Sequence, residues 1–328
     1  MKLDPRLGRA IDWLRRHQTK LTALVAIFVI VVAGLVLAEV LKELSFADVV
    51  AAMSEISTRH IIASILLAAL SYFVLTFYDV LALYAMGKPQ RYWRAALGSF
   101  SAYTFSHNLG FAPITGAAAR WRAYKGTNLD GADIARIVVL AGVTFWLGIF
   151  VMLGVFLLIF PGALRFHDSV MAYPVQATLG ALILLATAGY LMLCARQTGP
   201  LTILGWTLPV PTLKQAMMQF ALAATDIAIA SAALLVLIPG ADWALYPDFV
   251  VAYVVAVVIA LITHAPGGLG VFEAVILVTL PEVDKAALVS ALILYRVIYY
   301  WGPLLLAALL LALNEARMAA ERRRTVQT

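Results

Sequence analysis

ITHAPGGLGVFE, residues 262–273, interrupts an apolar run with one proline, three glycines and, at its end, a carboxylate. Proline and glycine break a helix at membrane depth where the freed backbone groups line protein or a polar cavity instead of lipid. A second stretch, NLGFAPITGAAAR at 108–120, repeats the device. Ala112-Pro113 and Ala265-Pro266 are the two Ala-Pro pairs of the chain, they lie 153 residues apart, and the next charges after them are Arg120 and Glu273. Two matched breaks in two halves suggest a transporter built from an internal repeat.

Composition sets the class. The chain has 328 residues, 63% of them hydrophobic and 13% charged, with a mean hydropathy of +0.92; soluble domains are nearer ~45–50% apolar. Runs long enough to cross a hydrocarbon core as helices occupy about 21–41, 61–86, 133–160, 172–194, 214–238 and 285–313. Two further runs, 93–120 and 247–281, carry the breaks. The first run follows a basic tail but lacks a small-residue cleavage site, so it reads as an uncleaved span. The one cysteine, Cys194, excludes an internal disulfide, and no Cys/His spacing suits a metal, so neither metal nor cofactor is expected.

The net charge of +6 does not mark a nucleic-acid binder, because the basic residues are distributed by topology. Six Lys/Arg precede residue 21, seven lie between Lys88 and Arg136, and four close the chain after residue 313, whereas the loops at 161–171, 239–246 and 282–285 hold one, none and one. The positive-inside rule then places both termini in the cytoplasm of a bacterial inner membrane. That orientation requires 93–120 to enter and leave from the cytoplasmic side and 247–281 from the other.

The predicted architecture is an all-α polytopic membrane protein of six full transmembrane helices and two re-entrant hairpins, arranged as two inverted repeats whose hairpins meet tip to tip. Basic tails cover 1–20 and 314–328, the first repeat 21–160 and the second 161–313. A short amphipathic helix is expected around 46–56, and the Pro-rich segment 198–212 reads as a stiff connector between the halves.

Few ionisable groups sit at membrane depth, where each needs a partner, a cavity or water. Arg120, followed by Arg122 and Lys125, forms a cationic ladder suited to a phosphate headgroup. Glu273 follows Gly267, Gly268 and Gly270, whose backbone lets a ligand approach, and Arg296 in the last span is its natural partner. Asp226, near mid-span, is a candidate for a cationic headgroup or a proton. Asp79 reads as solvated near the interface, with a proton-linked role as the alternative. His107 and His264 border the two breaks and titrate near neutral pH when unperturbed. Pro113, Gly116 and Pro266 shape the breaks, and Trp301-Gly302-Pro303 is expected to kink the last helix.

At TGAAARWRAY (Thr115 to Tyr124) and HAPGGLGVFE (His264 to Glu273) the chain resembles the transmembrane flippase region of the lysylphosphatidylglycerol synthases, the multiple peptide resistance factor family. The resemblance spans most of the chain. It implies movement of phospholipid, including aminoacylated phosphatidylglycerol, from the inner to the outer leaflet. Arg120, Arg122, Pro266, Gly267, Gly268, Gly270 and Glu273 are the positions that inherit a role from it. Bifunctional members continue into a soluble synthase domain; this chain ends with NEARMAAERRRTVQT soon after the last span, so no synthase activity is carried over.

The leading expectation is therefore a phospholipid translocator for an anionic or aminoacylated lipid, with Arg120, Arg122, Asp226, Glu273, Arg296 and the glycines at the substrate. The alternative is a non-catalytic membrane partner that docks a separate synthase or glycosyltransferase. A homo-oligomer is left open. An intramembrane enzyme would want a nucleophile and base converging with one another, and no such constellation stands in the sequence.

Overall fold

The computed structural model describes residues 31–326, apart from 36, 39–41, 43–44, 161–164, 167–168, 197–198 and 204–205. Helices dominate: α1 (Phe46–Glu55), α2 (Thr58–Ala85), α3 (Tyr92–Leu109), α4 (Ala112–Ala123), α5 (Gly131–Ile159), α6 (Tyr173–Arg196), α7 (Leu213–Leu235), α8 (Tyr246–Thr263), α9 (Val271–Thr279), α10 (Lys285–Tyr295) and α11 (Gly302–Val326). A π-helical turn, Arg296–Trp301, joins the last two into one continuous rod.

Polar caps mark where the apolar helices start. Ser45 and Asp48 close a capping box on α1, Asp130 and Asp133 on α5, and Thr212 and Gln215 on α7, while Ser57 caps α2 and Asp284 caps α10. Each box satisfies backbone N–H groups that would otherwise be orphaned at the helix end. The connector after α6 is an antiparallel ribbon, Leu201–Ile203 against Trp206–Leu208, and a smaller ribbon, Arg165–Phe166 against Ser169–Val170, follows α5.

Among the described residues, six helical segments are long and apolar enough to cross a membrane: Thr58–Ala85, Gly131–Ile159, Tyr173–Arg196, Leu213–Leu235, Trp243–Thr263 and Lys285–Met318. Together with the composition they define an all-α polytopic membrane protein. Five of the six coincide with runs read from the sequence. The sixth, Trp243–Thr263, was assigned there to a hairpin arm, yet its 21 residues would extend about 31 Å as helix, a full span's length. The predicted first span at 21–41 and the basic tail 1–20 lie mainly outside the described residues. Where the predicted basic tail 314–328 is described, it continues α11, which runs unbroken to Val326.

The apolar surfaces sort as a membrane requires. Ile62, Ile65, Leu66, Leu70 and Phe73 on α2, and Leu305, Leu306, Leu309 and Leu313 on α11, are exposed; such stripes need lipid or protein to cover them. The largest buried cluster draws on α2, α7, α8, α9 and α10, with Tyr78, Phe249, Phe272 and Tyr295 fully enclosed. Helices α3 and α4 pack on each other and against the last rod.

Candidate functional site

Both breaks are sharp and both rest on unusual backbone. Phe111 (φ 46°) and His264 (φ 53°) are the two non-glycine residues with positive φ among the described residues, and each immediately precedes its Ala-Pro pair. A left-handed conformation in a bulky residue is held only where its surroundings over-determine it. Here the surroundings are each other: the two rings lie 5.1 Å apart between centroids. The backbones touch as well, since a Cβ on Gly110 would stand 3.2 Å from the His264 carbonyl oxygen, and one on Gly267 would stand 3.3 Å from that of Asn108.

The first break is fastened by Arg120. Its Nε donates to both oxygens of Asp79 at 3.1 and 3.0 Å, and its Nη2 donates to Oδ1 at 2.7 Å. The Tyr124 hydroxyl donates to Asp79 Oδ2 at 2.9 Å. Tyr124 fits because Gly98 faces it; a Cβ there would come within 2.7 Å of the ring. Gly116 likewise lets α4 lie close on α3, where a Cβ would meet Ser106 Oγ at 2.9 Å. Asp79 has no exposure, which corrects the reading of a solvated interfacial acid: a guanidinium fork fills its hydrogen-bonding edge. Arg122 stands outside this arrangement, exposed, 3.7 Å from Glu315 of α11, and Lys125 is exposed too.

The second break is fastened by Glu273 and Arg296. Arg296 Nε donates to Glu273 Oε1 at 2.6 Å, its Nη2 lies 2.6 Å from the same oxygen, and its Nη1 donates to the Gly267 carbonyl. The other carboxylate oxygen accepts the Gly270 N–H at 2.8 Å. The guanidinium lies 4.4 Å from the centroid of the Tyr300 ring, a cation–π seat. Gly267, Gly268 and Gly270 adopt φ of 62°, 61° and 77°, a region glycine enters at no steric cost. Pro266 opens the turn, which ends where α9 begins.

The rod that carries Arg296 is π-helical where the sequence predicts a kink. Pro303 has no N–H to give the carbonyl four residues back, and that oxygen, on Tyr299, instead accepts the Tyr72 hydroxyl at 2.9 Å. Gly302 donates five residues back, to Val297. Asn108 Nδ2 donates to the Tyr300 carbonyl at 3.1 Å, so the end of α3 is tied to the same turn.

Between the breaks lies a cavity of about 440 Å³, within the range of small-molecule sites. Arg120, Asp226, His107 and His264 line it together with the hydroxyl-bearing rings of Tyr103, Tyr253, Tyr299 and Tyr300, Pro113, Gly267 and Gly268 contribute from the breaks, and Phe145, Trp146, Val257 and Phe272 give it apolar walls. Pro266, Gly116, Gly270, Arg122, Asp79, Glu273 and Arg296 lie outside this lining. Asp226 accepts hydrogen bonds from Ser71 Oγ at 2.5 Å and the Tyr78 hydroxyl at 3.4 Å, and Ser71 Oγ lies 2.7 Å from the Tyr299 hydroxyl. His107 is packed against Tyr299, ring centroids 6.3 Å apart, whereas His264 is exposed, with Nδ1 2.9 Å from the Ile262 carbonyl. Ser71 and Tyr78 escaped the sequence reading. Their signal was a seven-residue repeat of polar groups, Ser64, Ser71 and Tyr78, along an apolar helix, and all three are fully buried.

Fold and site define a polytopic α-helical membrane protein with a partly polar internal cavity enclosed at two helix breaks. The chain belongs to the family of the uncharacterized protein slr0712 of Synechocystis sp., to which it is 30% identical over 288 residues, 87% of this chain and 88% of that one. It is also similar to the inner membrane protein YbhN of Escherichia coli, 29% identical over 282 residues, 84% of this chain and 86% of that one. No protein-family model matches the chain.

Proposed function

We propose that the protein is a phospholipid translocator of the bacterial inner membrane, with both termini in the cytoplasm, in which the lipid headgroup occupies the cavity between the breaks. The observation that carries this reading is the cavity itself: one guanidinium and one carboxylate stand in an otherwise largely apolar chamber at the meeting point of two interrupted helices. Such half-helix junctions are where transporters place polar substrate groups. The aromatic and aliphatic walls suit the glycerol and the first methylenes of acyl chains, and the Arg120 Nη1, the guanidinium nitrogen that Asp79 does not engage, suits the phosphate.

The inverted-repeat reading belongs with it. Helices α2, α3 and α5 start at Thr58, Tyr92 and Gly131, and α7, α8 and α10 start at Leu213, Tyr246 and Lys285, offsets of 155, 154 and 154 residues. Both α3 and α8 are 18 residues long and end at a break. An odd number of crossings per half turns the second half upside down, and α3 with α4 and α8 with α9 are then the two re-entrant hairpins. Rocking of one half on the other exposes the cavity to each leaflet in turn. The YbhN relative's inner-membrane name and the resemblance to the lysylphosphatidylglycerol flippase region support the location and the lipid class.

The test is leaflet exchange of labelled phosphatidylglycerol, its lysyl ester and a zwitterionic lipid in vesicles carrying the purified protein. The expected result is headgroup-selective exchange that falls at least tenfold in the charge-neutral double variant Asp79→Asn/Arg120→Gln. Exchange of no lipid by folded protein, or undiminished exchange in that variant, contradicts the proposal.

A further inference from the structure

Among the described residues three carboxylates are buried, Asp79, Asp133 and Asp226, and Glu273 at the second break is half-buried; three of these four hold a cation. Asp79 has Arg120 at 2.7 Å, Asp133 has Lys88 at 2.5 Å and Arg136 at 3.1 Å, and Glu273 has Arg296 at 2.6 Å. Asp226, 4% exposed, has hydroxyl partners alone. It is also the carboxylate among the four that lines the cavity. Keeping a negative charge there without a cation beside it is costly at membrane depth, and taking up a proton relieves that cost.

The partners suit a group that changes charge. A guanidinium only donates, and so holds its carboxylate charged, whereas a hydroxyl donates or accepts according to how it turns. With Asp226 ionised, the hydrogen bonds run from Tyr299 to Ser71 to the carboxylate. With Asp226 protonated, its O–H donates to Ser71 Oγ and Ser71 donates onward to Tyr299, a bond in which either oxygen serves as donor. No heavy atom needs to move. The groups within electrostatic reach are Tyr72 and Tyr78 from α2, Tyr103 from α3, Tyr253 from α8 and Tyr299 from the π-helical turn. Arg120, already joined to Asp79, and His107, whose buried Nδ1 has no partner, face the same chamber.

We propose that Asp226 is the proton-carrying group of the cavity, and that its protonation and deprotonation couple lipid movement to the proton gradient. The coupling rests on the translocator reading above; the proton site does not. In one orientation of the cavity the Asp226 O–H bond breaks and the proton passes to water at the mouth, leaving the carboxylate. In the other orientation water on the opposite side returns a proton and the neutral acid re-forms, so one proton crosses per cycle.

The test uses the full-length protein in vesicles and has two arms. Infrared difference spectra between about pH 4 and 9, the span in which normal and perturbed carboxyls titrate, should show a carboxylic-acid carbonyl band that is absent from Asp226→Asn and persists, shifted, in Asp226→Glu. Ser71→Ala should move its midpoint. Phosphatidylglycerol exchange should speed up several-fold under an imposed pH gradient, and that ratio should fall to one in Asp226→Asn. A spectrum identical in wild type and Asp226→Asn overturns the proton site. A gradient response that survives the substitution, or a response to a sodium gradient in place of a pH gradient, overturns the coupling. If the wild type exchanges no lipid under any gradient, the translocator reading fails, and the infrared arm still decides whether Asp226 carries the proton.

Discussion

At the scale of single residues, the buried charges divide into those that hold the fold and those free to serve a ligand. Asp79 and Arg120 are spent largely on each other. Removing one partner of a buried pair leaves the other uncompensated and costs about 3–5 kcal/mol. Arg120→Ala should therefore lower the melting temperature in detergent markedly, and Asp79→Asn/Arg120→Gln should recover much of the loss; a double-mutant cycle with no coupling would show the pair to be idle. Asp226→Asn keeps an acceptor for Ser71, so its stability should change by no more than about 1 kcal/mol. A loss as large as that of Arg120→Ala would instead place Asp226 in the frame. The sequence made Arg120, Glu273, Arg296 and Asp226 conspicuous because charge is rare in apolar runs. It did not show that Asp79 belongs to Arg120, since 41 residues separate them and only the folded chain brings them together. Arg122 looked equivalent to Arg120 by spacing, yet it lies on the outer face of α4, and two residues along a helix turn a side chain by about half a circle.

Among elements, the breaks depend on backbone that glycine supplies. At Gly268 (φ 61°) a Cβ would also stand 2.8 Å from the Ala260 Cβ, so Gly268→Ala combines left-handed strain with an apolar clash. Its expected cost is of order 1–3 kcal/mol, read as thermal stability, with Gly87→Ala, where the same φ region meets open space, as the control. Equal losses at the two sites would mean that close packing at the second break contributes nothing. The Ala-Pro breaks were legible because proline and glycine act locally. The π-helical turn was legible only as a kink at Gly302-Pro303. Its actual form depends on Tyr72 and Asn108 taking the freed carbonyls, and these come from α2 and α3, far away in sequence.

At the scale of the whole molecule, the account requires two halves of opposite orientation moving about one cavity. Single cysteines in a Cys194→Ser background, at Asn128 after α4 and at Glu282 before α10, should react with an impermeant thiol reagent from opposite sides, Asn128→Cys from the cytoplasm and Glu282→Cys from outside. Labelling of both from one side would exclude the inverted arrangement. The fold class and most spans were visible in hydropathy, because a membrane imposes length and polarity on each helix separately. The run at 247–281 was less so: its first half, read there as a hairpin arm, belongs to Trp243–Thr263, a segment as long and apolar as a full span, and composition does not tell a helix that crosses from one that turns back. The meeting of the breaks leaves no local trace at all, apart from the 153-residue offset that Phe111 and His264 share.

That meeting is also where the account is most open to test. With Cys194→Ser, cysteines at Phe111 and His264 can be joined by a short bis-methanethiosulfonate cross-linker, each thiolate displacing methanesulfinate to form a reducible disulfide, and phosphatidylglycerol exchange followed in vesicles before linking, after linking and after reduction. Efficient linking that halts exchange, with recovery on reduction, is the predicted result. Exchange that continues unchanged through complete linking would contradict a cavity that opens between the two breaks.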